Sequence, residues 1–100
     1  MIGPATNKIA DRRAMPLPLT AHAVRRSRER SIPEFIIEAL LDYGDRHPAP
    51  GNAERIVFGR RGWARFAKRL GREARHFERY RRAYLIVSND GYVITAAWQD

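Results

Sequence analysis

The sequence contains no cysteine. Disulfides and thiolate metal sites are thereby excluded, and the composition suits a reducing compartment, so a cytoplasmic location is expected. No apolar run approaches the length that crosses a bilayer, so no membrane span is expected. The first twenty residues have no continuous apolar segment and carry Asp11, Arg12 and Arg13, which argues against a secretory signal. There is no glycine-rich phosphate loop, no Ser/His/Asp order and no paired-carboxylate arrangement. Histidine is sparse and scattered at His22, His47 and His76. Without cysteine or a paired carboxylate these give no metal-ligand pattern, so neither a metal nor another cofactor is expected. Lysine is nearly missing too: apart from Lys8 and Lys68, all of the 19 basic residues are arginine.

What is present is enough for one domain. The chain has 100 residues, 44% of them hydrophobic, which is the size and composition of a single core. Residues 1–16 show no periodicity and spread Gly3, Pro4 and Pro16 through polar sequence; they are expected to form a flexible tail ahead of a domain at 17–100. Thr20 is placed to cap a helix over about 20–30. Ser31-Ile32-Pro33-Glu34 has the spacing of a capping box with proline in the first turn. From there Ile32, Phe35, Ile36, Ala39, Leu40 and Tyr43 recur on one helical face, and Gly44 is placed to end the helix in the left-handed conformation.

Residues 45–53 (DRHPAPGNA) have the composition of a loop, and Glu54–Phe58 that of a short strand. A third helix is predicted over about 60–79. Ala83–Ser88 and Tyr92–Trp98 flank Asn89-Asp90-Gly91, which predicts a closing hairpin. The expected class is α+β in the order α-α-β-α-β-β, with two N-terminal helices and a basic amphipathic helix packed on a small antiparallel sheet.

Arginine is abundant either because the genome is GC-rich or because planar guanidinium forks match phosphate oxygens and stack on bases. Placement separates the two. At 100° per residue, Trp63, Phe66, Ala67, Leu70, Ala74 and Phe77 fall within about 100° of one another, and Arg65, Lys68, Arg69, Arg72, Arg75 and Arg79 fall opposite. Residues 60–82 hold ten cations (Arg60, Arg61, Arg65, Lys68, Arg69, Arg72, Arg75, Arg79, Arg81, Arg82) against Glu73 and Glu78, a local net charge of 10 − 2 = +8. That equals the excess of the whole protein. Residues 31–54 run the other way, with Glu34, Glu38, Asp42, Asp45 and Glu54 against Arg46. Cations gathered on one stripe repel one another, so an anionic counterpart is expected. It is a nucleic-acid backbone, RNA foremost, an anionic membrane surface, or an acidic helix of this chain or another. The last option makes an acidic protein partner or a homodimer the alternative to RNA. The candidate nucleic-acid residues are Arg60, Arg61, Arg65, Lys68, Arg69, Arg72, Arg75 and Arg79.

A second constellation lies on the first helix. His22, Arg26 and Arg30 are spaced i, i+4, i+8 and share one face. A neutral imidazole beside two guanidinium groups could take a 2′-hydroxyl proton while arginine stabilises charge on the phosphate. The plainer reading is a surface histidine beside structural or phosphate-binding arginines.

The pattern His22-Ala23-x-x-Arg26-x-x-x-Arg30-x-Ile32, the helix ending near Tyr43-Gly44, and a hairpin with Asp90-Gly91 and Val93-Ile94-Thr95 resemble short bacterial domains grouped near RelE-type and BrnT-type toxins. The resemblance covers roughly residues 17–98. It implies the barnase/EndoU/colicin/RelE ribonuclease fold class, a metal-independent ribonuclease activity with His22, Arg26 and Arg30 as catalytic residues, and an acidic antitoxin-like partner. Two features depart from that pattern. Relatives often place a histidine after the Ile-Thr stretch, where this chain has Ala97-Trp98-Gln99, so a general acid from that strand is missing. The basic helix is also long compared with the smallest toxins.

Overall fold

The computed structural model describes residues 19–99; the expected tail at 1–16 lies outside the described residues. The order is α1 (Ala21–Glu29), α2 (Glu34–Tyr43), β1 (Asp45–Ala49), β2 (Ala53–Val57), α3 (Arg60–Leu70), a 3₁₀ segment (Gly71–Arg82), β3 (Ala83–Val87) and β4 (Val93–Trp98). The class is α+β as expected, with four antiparallel strands in the order β1-β2-β3-β4.

Thr20 caps α1 as its position suggests: its Oγ1 accepts from the Ala23 amide at 3.1 Å. The end of α1 explains why the capping box does not form. The Ile32 amide donates to the Ser27 carbonyl at 2.8 Å and the Ser31 amide to the Arg28 carbonyl at 3.2 Å. This is a Schellman closure, and it requires its penultimate residue to be left-handed, which Ser31 is at φ 56°. Ser31 therefore terminates α1. The N-cap of α2 falls on Pro33, with no side-chain capping bond.

Gly44 also differs from expectation. It is extended, at φ −75° and ψ 159°. Its small size is what matters, because a Cβ there would collide with Ile56 and the Leu40 carbonyl oxygen.

Residues 45–49, expected as loop, form the edge strand β1. It pairs with β2 from Asp45↔Val57 to Ala49↔Ala53. Pro48 cannot donate to a ladder, which suits an edge and blunts it against further pairing. The closing hairpin forms as predicted. Of its central residues only Gly91 is left-handed (φ 94°), following a turn in which the Gly91 amide donates to Ser88 O at 2.9 Å.

The helix expected over 60–79 is two elements. Gly71 adopts φ 65°, ψ −133° and ends α3, and the chain continues as a 3₁₀ winding. At three residues per turn, Ala74, Phe77 and Tyr80 line up on one side. They are half-buried, half-buried and buried respectively, so Tyr80 joins the core.

The core lies on one face of the sheet. Ile56, Ala83, Leu85, Val87, Val93 and Ala96 meet Ala23 of α1, Ile36, Ile37 and Leu40 of α2, and Trp63 and Phe66 of α3. Trp63 and Phe66 are buried as expected, while Leu70 and Phe77 pack half-buried at the margin. Simple alternation back from Ala96 would put Ile94 on this face. A register shift between Ile86↔Thr95 and Val87↔Val93 leaves it unpaired, and Val93 takes the core position. Such a bulge re-aims the side chains beyond it.

Candidate nucleic-acid interface

The amphipathic split of α3 is realised. Its inner side buries Gly62, Trp63 and Phe66, and Phe58 and Tyr43 extend this into an aromatic cluster, with the Phe58 and Phe66 rings stacked at 5.8 Å. Gly62 permits the approach of α3 to α2, since a Cβ would strike the Tyr43 carbonyl oxygen. A second cluster forms where the 3₁₀ segment passes α2 and β4: Phe35, Phe77, Tyr80 and Trp98 make successive ring contacts. Trp63 Nε1 donates to Glu78 Oε2 at 3.3 Å and ties α3 to the 3₁₀ segment. One of the two acidic residues of the basic segment is thus used internally.

The outer side carries the charge. All ten cations of residues 60–82 are exposed. Four have protein contacts. Arg65 lies 5.7 Å over Tyr43 and Arg79 4.8 Å over Tyr80. Arg81 lies 5.8 Å over Trp63 and 3.4 Å from Glu78, and Arg82 donates to Gln99 O at 3.2 Å. Arg60, Arg61, Lys68, Arg69, Arg72 and Arg75 make no hydrogen bond, ion pair or ring contact among the described residues. These six lie in the first and last turns of α3 and in the 3₁₀ segment, so unneutralised guanidinium groups and one ammonium stand at both ends of α3 and beyond it.

The acidic helix does not mask this row. Glu34 and Glu38 are exposed and Asp42 is half-buried. Glu38 and Asp42 line a groove of about 350 Å³ between α2 and α3 with Phe35, Tyr43, Phe66 and Arg69.

Two of the three residues singled out on α1 have partners of their own. Arg30 Nη1 donates to the Ala96 carbonyl at 3.1 Å, and Trp98 Nε1 donates to the Arg30 carbonyl at 2.8 Å. Arg26 Nη1 lies 3.8 Å from Glu29 Oε1. His22 is exposed and has no hydrogen-bond or ion-pair partner among the described residues. Trp98 thus fastens β4 to the end of α1. Tyr84, the other large aromatic of the hairpin strands, does not join the trio. It pairs with Ala97 and so shares the sheet face opposite to Ala83 and Trp98.

That opposite face holds what sequence reasoning missed. The Arg55 guanidinium sits 4.5 Å over the Tyr84 ring. The signal was available as period-two alternation once β2 and β3 are set in register, with Arg55↔Ile86 placing Tyr84 diagonally across. Among the described residues no group of histidine, aspartate and glutamate could hold a metal ion. No helix among them is long and apolar enough to cross a membrane. No protein-family model matches this chain, and no curated protein or solved structure matches it either.

Proposed function

We propose that this domain binds RNA through the cationic surface of residues 60–82. The observation that carries the reading is the row of six exposed, unpartnered cations, Arg60, Arg61, Lys68, Arg69, Arg72 and Arg75, backed by a buried apolar face. A solvated helix gains from alternating signs; one that gathers cations on a single face loses stability unless an anion neutralises them. Arginine in nine of ten basic positions of this segment favours phosphate oxygens and base planes over simple point charges.

The reading is of binding rather than cleavage. The ribonuclease activity implied by the toxin resemblance needs His22, Arg26 and Arg30 around one phosphate. Arg30 is committed to β4 and Arg26 lies beside Glu29, which supports a structural role for both.

The test is charge reversal at cations that have no protein partner. Arg69, Arg72 and Arg75 changed together to Glu are expected to weaken RNA binding at least tenfold, since each charged contact is worth about 1.5–3 kcal/mol and tenfold needs only about 1.4. Circular dichroism should be unaltered. A folded triple variant with parental affinity would refute the proposal. An acidic protein that competes with RNA for the same residues is the outcome expected of the interaction reading.

A further inference from the structure

All three helices bury their apolar sides on one face of the sheet. The other face is formed by Asp45 and His47 of β1, Arg55 and Val57 of β2, Tyr84 and Ile86 of β3, and Thr95 and Ala97 of β4. Among these only Ala97 is buried; the remainder are half-buried or exposed, and no described helix covers them. A one-sided antiparallel sheet ordinarily turns a polar, alternating face to water. This one places a tyrosine, an isoleucine and a valine together, with an arginine over the tyrosine ring.

Arg55 is the unusual member. It is exposed, and its guanidinium lies over the Tyr84 ring without a hydrogen bond or ion pair among the described residues. A stacked guanidinium keeps its edge donors free for phosphate or base oxygens and presents its second face to solvent. The acidic residue of the same face, Asp45, stands at the start of β1, against Gly59. Asp45 makes no ion pair with Arg55 among the described residues. Arg82, the last cation of residues 60–82, precedes β3 by one residue and Tyr84 by two, and is held to Gln99 O at the end of the β3–β4 pair. The basic segment thus leads to the corner of this open face.

We propose that the open sheet face is a stacking platform for single-stranded RNA, with an unpaired base lying on the Arg55–Tyr84 stack while the backbone continues along the basic row. The inference rests on the RNA-binding reading and adds the class of RNA. Bases of a single strand can be splayed onto aromatic or guanidinium planes, whereas those of a duplex are already stacked and A-form helices are read by shape and phosphate. Charge and planarity select this occupant together: a protein segment would need acidic side chains to match Arg55, but would not need its flat face.

The full chain is tested with Arg55→Lys and Tyr84→Leu against a short oligouridylate and against an RNA duplex, at one fixed salt concentration. Lysine keeps the charge and loses the plane. Each variant is expected to lose at least about fivefold in affinity for the single strand, the lower end of what one stacked base contributes, with duplex affinity within about twofold of the parent. Parental affinity of Arg55→Lys for the single strand overturns the platform, and so does an equal loss for single strand and duplex. If Tyr84→Leu lowers the thermal midpoint markedly, Arg55→Lys decides alone, because its side chain is exposed and holds up nothing. A parent chain that binds neither RNA refutes the RNA-binding reading itself; a parent that binds both while the variants match it refutes the platform only.

Discussion

Trp98 joins the closing hairpin to the first helix in two ways. Its Nε1 donates to the carbonyl of Arg30, the residue that caps α1, and its ring stacks on Tyr80 at 5.7 Å. Arg30 returns a bond to Ala96 O, so a helix end and a strand exchange donors. Carbonyls at a helix C-terminus have no intrahelical partner, and an indole N–H is a donor only, so the match is chemically complete. Trp98→Phe keeps an aromatic ring but removes the donor. It is expected to cost about 1–2 kcal/mol by urea denaturation, from one hydrogen bond and some lost packing. A variant as stable as the parent would show the bond to be idle. Residue identity alone could not have shown this. The bond joins residues 68 apart in sequence, which no local pattern around Trp98 encodes.

At the scale of elements, Gly71 divides the basic region. It stands at φ 65°, ψ −133°, a combination that side chains beyond glycine rarely adopt, and a Cβ there would meet nothing within 4 Å. Gly71→Ala is thus a purely backbone substitution. It is expected to destabilise by about 1–3 kcal/mol, read from chemical or thermal unfolding, although no contact is lost. A neutral or stabilising result would mean that the helix simply continues through this position. The same element explains where the sequence was legible and where it was not. Apolar residues at helical spacing located α2 and α3 because burial enforces the period. Beyond Gly71 the winding tightens to three residues per turn, so a wheel drawn at 100° left Tyr80 off the apolar side. β1 escaped notice for another reason: Asp45, Arg46, His47 and Pro48 are all exposed, and what makes them a strand is β2 beside them. Ser31-Ile32-Pro33-Glu34 had capping-box spacing, but the serine was already used to close the preceding helix.

Across the whole molecule, the net charge of +8 is matched by the local charge of residues 60–82, and six cations of that segment have no partner among the described residues. Two opposite salt responses follow from this one arrangement. Without RNA, the row repels itself, and the repulsion acts over the screening length, about 10 Å at 0.1 M salt and about 30 Å at 0.01 M. Raising salt from the lower to the higher value is expected to raise the thermal midpoint, since screening relieves the repulsion in the compact state. With RNA, the same ions compete with the protein for phosphates. If all six cations displace a counterion from a single strand, the logarithm of affinity should fall with the logarithm of salt at a slope of about −4, at roughly 0.7 per contact. Neutralising Arg69, Arg72 and Arg75 to Gln should bring the slope to about −2 and flatten the salt dependence of stability in the same protein. The two slopes are read independently, one by thermal unfolding and one by titration. A variant that changes one and leaves the other at the parental value would separate the residues that repel each other from the residues that hold RNA, and would break the link between this charged face and its ligand.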